Sequence, residues 1–287
     1  MSDAPKKSGM AALIGRSNVG KSTLINSLIG TKVAITSPKP QTTRHAIQGV
    51  LNDEMRGQVV FVDTPGIFKR VPDRLTAKLN EKARESMTGI DCLIYVVDPT
   101  RHVGEEERLI HGLVMASGVP KIMVLNKSDR RGEFRDEYLA WSDGFSTVLE
   151  ISALHCKGLK PLIQAIFDLM PEGEPLYPLD RITNIDNRFW LSEIIREKVF
   201  IQTQQEVPFG VTVEMGSVEE RENGTVYVQA SLITRDKRHK KMLIGHGGEK
   251  IKAIGRSARR ELEAVTNRKI FLDLEVSVDE KWEERFV

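Results

Sequence analysis

The first part of the chain alternates short, largely unbroken apolar runs with longer stretches in which apolar residues recur at helical spacing. The runs lie at residues 10–14, 59–62, 93–97, 122–125 and 148–151. A strand with little or no polar face belongs inside a parallel sheet that is covered above and below. Between these runs, a period near 3.6 predicts helices over residues 21–28, 75–88, 105–117, 136–141 and 159–169. Strand–helix alternation on this scale predicts an α/β domain with a mostly parallel sheet and helices on both faces.

The pattern breaks at residues 171–178, where Pro171, Pro175 and Pro178 fix their own φ and restrict the residues before them. The stretch predicts a stiff linker over residues 172–183, between a domain at 1–171 and a second at 184–287. Past it the order changes. A helix fits 188–202, and strands fit 211–218 and 225–232 with Asn223-Gly224 as the turn between them. A glycine turn at Gly245, a basic helix over 249–266 and a strand over 270–278 complete an α+β pattern.

Composition narrows the class without choosing a function. With 287 residues, 40% hydrophobic and 29% charged, the chain has material for two modest cores. No apolar run approaches the ~20 residues needed to cross a bilayer. Lys6 and Lys7 are not followed by the apolar segment of a secretory signal. Cys92, inside an apolar run, and Cys156 make no disulfide framework, so the expectation is a cytoplasmic protein. The net charge of +2 is bland, but its distribution is not. Residues 235–260 carry Arg235, Lys237, Arg238, Lys240, Lys241, Lys250, Lys252, Arg256, Arg259 and Arg260 against only Asp236 and Glu249.

The chemistry starts where the first strand runs into Gly15-Arg16-Ser17-Asn18-Val19-Gly20-Lys21-Ser22, with Thr23 and an apolar helix following. Glycine lets backbone wrap closely around phosphate oxygens, and the amides of the loop and helix start point at an anion. Lys21 can bridge β- and γ-phosphates, and the Ser22 hydroxyl can ligate magnesium. Asp63-Thr64-Pro65-Gly66 follows the next apolar strand, where Asp63 can hold magnesium through water and the Gly66 amide can report the γ-phosphate. Asn126-Lys127-Ser128-Asp129 follows a third strand. The Asp129 carboxylate matches the two N–H donors on one edge of guanine, which adenine lacks, while Asn126 and Lys127 brace the loop. Ser152-Ala153 would bring backbone N–H near the guanine oxygen. In the polar stretch 38–44, Thr43, with Thr42 as the alternative, can close over the γ-phosphate and add a second hydroxyl to the metal.

This ordered set resembles a translation-factor-class GTPase, and its form, with Gln41-Thr42-Thr43-Arg44-His45, is similar to the bacterial Era family. In the second domain, Lys240-Lys241-Met242-Leu243-Ile244-Gly245-His246-Gly247-Gly248-Glu249-Lys250-Ile251-Lys252 resembles that family's type II KH domain. The residues support the likeness independently. A glycine turn before a basic helix suits close approach to nucleic-acid phosphates, with Ile244 and Ile251 as apolar contacts to splayed bases and Arg256 on the charged face.

The resemblance implies a Mg2+-dependent GTPase cycling between GTP and GDP. It further implies binding near the 3′ end of 16S ribosomal RNA, assistance to 30S subunit assembly, a monomeric state and peripheral contact with the inner face of the cell membrane. Asn18 is where related enzymes help hold a potassium ion, which would add it to Lys21 and Thr43 as a participant in hydrolysis; the alternative is that Asn18 simply caps the loop. Three positions depart from the usual pattern. Ser17 replaces a proline, His246 replaces a frequent lysine, and Ile67 follows Gly66 where Ras-like enzymes place a water-orienting glutamine. The competing expectation is a GTPase whose second domain docks a protein. The basic run, free of aromatic anchors, favours RNA.

Overall fold

A computed structural model describes residues 5–37, 39, 42–67, 74–203 and 207–284, with the Arg74 side chain excepted. Pro38, Pro40 and Gln41 of the polar stretch lie outside the described residues. The chain divides into two compact units, Met1–Asn184 and Ile185–Val287.

In the first unit, β1 (Lys7–Ile14), β2 (Ile47–Asp53), β3 (Gly57–Asp63), β4 (Cys92–Val97), β5 (Lys121–Leu125) and β6 (Thr147–Glu150) form one sheet in the order β2-β3-β1-β4-β5-β6. All pairs are parallel except β2–β3. Alternate residues of the central strands supply two separate cores. Leu13, Phe61, Ile94 and Val124 pack with α1 (Lys21–Ile29) and α5 (Leu159–Leu169). On the other face, Ile14, Val62, Tyr95 and Leu125 pack with residues of α2 (Arg74–Glu85), α3 (Glu105–Ala116) and α4 (Arg135–Leu139). This two-sided burial is why these strands read as continuous apolar runs.

The sequence pattern misses β2. It is half polar, with Gln48, Asn52 and Asp53, and Gly49 interrupts its apolar face. The glycine has a packing reason, because a Cβ there would lie 3.0 Å from Ile25 Cγ2 and 3.2 Å from Ile29 Cγ1. Residues 172–183 do not hang free. Val50 N donates to Ile182 O at 2.9 Å, Gln58 Nε2 to Tyr177 O at 2.8 Å and Tyr177 Oη to Gln48 Oε1 at 2.5 Å. The segment therefore lies along β2 and β3 and covers a sheet edge that would otherwise present unpaired backbone.

The second unit runs α6 (Asn187–Gln202), β7 (Val211–Glu220), β8 (Val226–Thr234), α7 (Lys237–Ile244), α8 (Glu249–Thr266) and β9 (Ile270–Val278). Its sheet is ordered β7-β8-β9, antiparallel and then parallel. Ile195, Val199, Leu243, Ile254 and Ala258 from the helices pack on Val211, Ala230, Leu232 and Val276. Gly224, at φ 76°, makes the turn between β7 and β8. The pattern also misses α7, where basic residues obscure the apolar stripe. Its start is nevertheless marked by Asp236, whose side chain accepts from His239 N at 2.8 Å. Among the described residues, no helix is long and apolar enough to cross a membrane.

Candidate functional site

β1 delivers the chain to Gly15, where a Cβ would lie 2.2 Å from Val96 O. Only glycine lets the loop turn so close to β4. Gly20, at φ 103°, is similarly constrained, because a Cβ would meet Asn126 Nδ2 at 2.3 Å. α1 starts at Lys21, and the N–H groups of its first turn have no acceptor within the helix. Lys21 is buried, its Nζ donating to Gly15 O at 2.9 Å and Arg16 O at 3.0 Å. Burial pushes its ammonium below the usual lysine range, and the nearby Asp63 charge opposes that. The Arg16 side chain turns to α3, Nε lying 3.0 Å from Glu106 Oε2, and Val19 is core. Those two residues offer the loop their backbone.

Three oxygen-bearing residues converge beside Lys21. Ser22 Oγ donates to Asp63 Oδ2 at 2.6 Å, Thr43 Oγ1 donates to the same oxygen at 3.1 Å, and the two hydroxyls are 3.0 Å apart. The other oxygen, Asp63 Oδ1, is buried without a hydrogen-bond partner. Burial pushes the Asp63 carboxyl up, against the Lys21 charge and the two hydroxyls. An orphaned buried carboxylate oxygen beside two hydroxyls fits a hard divalent cation with oxygen ligands. Thr42 does not join them, because its hydroxyl donates to Lys39 O at 2.6 Å. Among the described residues no cluster of three His, Cys, Asp or Glu could hold a metal. Thr64, fully buried, donates to Leu13 O at 2.6 Å and ties the turn ending in Pro65 and Gly66 to β1.

The loop after β5 is tied to the phosphate loop. Asn126, 2% exposed, donates through Nδ2 to Val19 O at 2.8 Å and accepts from Ala153 N through Oδ1 at 2.9 Å. Lys127 Nζ donates to Asn18 O at 2.9 Å and pairs with Asp98 Oδ2 at 2.5 Å. Asp98, buried at the end of β4, was not singled out by the sequence. Its place after an apolar run, as with Asp63, was the available signal. Asp129 accepts from Ser152 Oγ at 2.5 Å, and that bond holds its carboxyl below the usual range, so it remains an acceptor for two N–H groups. Ser152 and Ala153 already donate their N–H groups, to Lys157 O at 3.1 Å and to Asn126 Oδ1. They brace the base loop from within the protein.

One cavity of about 580 Å³ joins these parts. Ser17, Asn18, Gly20, Lys21, Ser22, Thr23, Thr43, Gly66, Lys127 and Asp129 line it, and so do Ile35, Thr36 and Leu154, which the sequence did not single out. Gly15, Arg16, Val19, Asp63, Thr64, Pro65, Ser152 and Ala153 stand behind its walls. Ile67 lies in the core. It is 1% exposed and packs with Ile14 and Val62.

In the second unit, α7 ends at Gly245 (φ 73°), a short 3-10 turn spans His246–Gly248, and α8 begins after Gly248 (φ 79°). A Cβ on Gly245 would lie 2.7 Å from Lys250 Cβ, so the glycine sets how tightly the two helices join. His246, Gly247, Lys241, Lys252 and Arg256 are exposed, and Lys240 and Gly248 are partly so. Two sets of residues are partly engaged inside the unit. Lys250 Nζ donates to Gln202 O at 3.0 Å, and Ile244 and Ile251, half-buried, lean on the core.

Comparison with known proteins agrees with both halves. Residues 10–127 match the family model described as "50S ribosome-binding GTPase", and residues 206–283 match "KH domain". GTPase Era of Halothermothrix orenii is 44% identical over 283 residues, 97% of this chain and 95% of the relative. GTPase Era of Trichlorobacter lovleyi is 40% identical over 291 residues, 99% of this chain and 97% of the relative. An Aquifex aeolicus Era variant bound to GDP and AlF4− superposes with TM-score 0.91 at 35% identity, covering 97% of this chain and 96% of that one. Era in complex with MgGDPNP and nucleotides 1506–1542 of 16S ribosomal RNA gives TM-score 0.91 at 34% identity, covering 98% and 96%. A phosphate loop, a base loop and a KH domain in one order, shared with relatives along nearly the whole of both chains, mean that this chain belongs to the Era family of Mg2+-dependent, GTP-hydrolysing enzymes.

Proposed function

We propose that the chain is a GTP-driven switch that binds single-stranded sequence near the 3′ end of 16S ribosomal RNA and assists assembly of the 30S subunit. The observation that carries this reading is the glycine turn at residues 245–248, exposed at His246 and Gly247 and held between two helices whose open faces carry Lys241, Lys252 and Arg256. Such a turn lets phosphates approach backbone, and the charge supplies sequence-independent attraction. The relative solved with 16S nucleotides shares the fold throughout. We assign the activity to a monomer in the cytoplasm, with peripheral membrane contact as a further expectation of the sequence.

In the first unit, Lys21 and the amides of residues 15–22 hold the phosphates, and Asp129, braced by Ser152, reads guanine. Ser22, Thr43 and Asp63 would hold Mg2+, which when bound offsets negative charge on the phosphates. Ile67 cannot orient water, so another group or a partner does. We also assign to Asn18, at φ 64° on the cavity wall, a part in holding potassium near the phosphates. Hydrolysis in potassium then exceeds that in sodium at equal ionic strength, and equal rates remove that assignment.

The RNA reading is tested with His246→Asp and Gly247→Asp combined. No atom lies within 4 Å of a Cβ at Gly247, and aspartate tolerates its φ of 55° better than most side chains. Affinity for the 16S 3′ segment falls by more than the ~1–3 kcal/mol of one stacked base. GTP hydrolysis, seated in the other unit, is unchanged. Undiminished affinity in the folded variant would overturn the RNA reading in favour of a protein-docking second unit.

A further inference from the structure

The phosphate loop is held from behind by a residue outside the GTPase motifs. In a trans peptide the C=O and N–H of one plane point in opposite directions, so a carbonyl held outward turns the following N–H inward. Three consecutive carbonyls of the loop are held in this way. Asn126 Nδ2 takes Val19 O at 2.8 Å, Lys127 Nζ takes Asn18 O at 2.9 Å, and Arg101 Nη1 takes Ser17 O at 3.2 Å. The first two donors belong to the base loop. Arg101 comes from the turn between β4 and α3, and the plane that it fixes carries the N–H of Asn18.

Arg101 is itself well anchored. Its N–H donates to Asp98 O at 3.1 Å, and its carbonyl accepts from Tyr138 Oη at 3.0 Å. Tyr138 Oη also lies 3.3 Å from Glu107 Oε2, and Tyr95 Oη donates to Glu107 Oε1 at 2.5 Å. Glu107, 1% exposed in the first turn of α3, lies 3.7 Å from Arg16 Nη1, while Glu106 takes Arg16 Nε at 3.0 Å. A buried carboxylate is costly unless bonded and paired, and apolar residues could fill the same volume more stably. Arg16 and Arg101 therefore link this polar block to two successive residues of the loop.

We propose that Arg101, with Glu107 behind it, is a positioning residue for phosphate binding, fixing the Ser17 peptide so that the Asn18 N–H faces the β-phosphate of a guanine nucleotide. The inference rests on reading residues 15–22 as the phosphate loop and Asp129 as the guanine acceptor. It predicts a selective defect, because a nucleotide without a β-phosphate gains nothing from that amide.

The test uses full-length Arg101→Met, which keeps an aliphatic stem and removes the donors. GDP and GMP affinities are measured by displacement of a fluorescent guanine nucleotide, alongside melting of the nucleotide-free protein. GDP affinity falls about tenfold and GMP affinity stays within about twofold, the size of one charge-assisted hydrogen bond. Glu107→Gln, which keeps an acceptor for Tyr95, moves the GDP/GMP ratio in the same direction by about threefold. Lys21→Ala is run in parallel. If Lys21→Ala keeps the parental ratio, the phosphate-loop reading fails and the proposal fails with it. If Lys21→Ala loses the GDP preference while Arg101→Met and Glu107→Gln keep it, or lose GDP and GMP equally, Arg101 is structural only and the proposal alone is overturned.

Discussion

Asn126→Ala tests how the two nucleotide loops depend on one another. The side chain joins them through two buried hydrogen bonds, to Val19 O at 2.8 Å and from Ala153 N at 2.9 Å. Truncation strands a buried carbonyl and a buried N–H, each at about 1–3 kcal/mol, so about 2–6 kcal/mol is at stake. The free protein can relieve part of this by letting the loops separate and take up water. Nucleotide binding has to undo that relaxation, so at least about 1.4 kcal/mol, a factor of ten, reaches the GDP affinity. The remainder lowers the melting temperature of the nucleotide-free protein.

Two further variants sharpen the case. Asn126→Asp keeps the acceptor for Ala153 but sets a carboxylate oxygen against Val19 O beside the phosphate site, so it binds GDP more weakly than Asn126→Ala. Gly20→Ala would push a methyl into Asn126 Nδ2 and break the same contact, so its effect and that of Asn126→Ala add to less than their sum. The assay is titration with a fluorescent GDP analogue beside thermal melting. Parental GDP affinity and melting in Asn126→Ala would refute the claim that this side chain couples the loops.

The other predictions concern single positions. Asp129→Asn loses guanine selectivity, and xanthine nucleotides, which carry a carbonyl where guanine has its amine, bind it better than GTP does; tight GTP binding without that gain would contradict the base reading. Ile67→Ala opens a cavity in the core and costs about 2–4 kcal/mol of stability, yet the folded variant keeps substantial hydrolysis; a folded, GTP-binding but inactive variant would return Ile67 to the chemistry. Asp63→Asn keeps the acceptor for Ser22 and Thr43 while removing a buried charge whose carboxyl is already pushed up. The charge lost is the one that would face Mg2+, so Mg2+-dependent GTP affinity falls at least about tenfold. GTP affinity with the parental Mg2+ dependence would contradict the placing of the cation at Asp63.

Sequence alone determined whatever depends on local order. Both faces of β1, β3, β4 and β5 are covered, so the strands stand out as apolar runs, and each phosphate or base motif follows directly on such a strand. Gly15, Lys21, Ser22, Asp63, Asn126 and Asp129 were legible for that reason, because backbone geometry at a strand end leaves few residue types able to do the work. β2 and α7 were hidden because their apolar positions are diluted by polar and basic residues, and only the neighbours that cover them reveal the stripe. Tertiary structure decided the contacts between residues distant in sequence. Thr42 and Thr43 are adjacent and chemically alike, yet only Thr43 reaches Asp63, while Thr42 turns back to Lys39. Asp98, Arg101 and Glu107 carry no motif of their own. They bear on the nucleotide loop because parallel strands bring β1, β4 and β5 side by side and open all their ends at one edge, where carbonyls from one turn meet donors from the next.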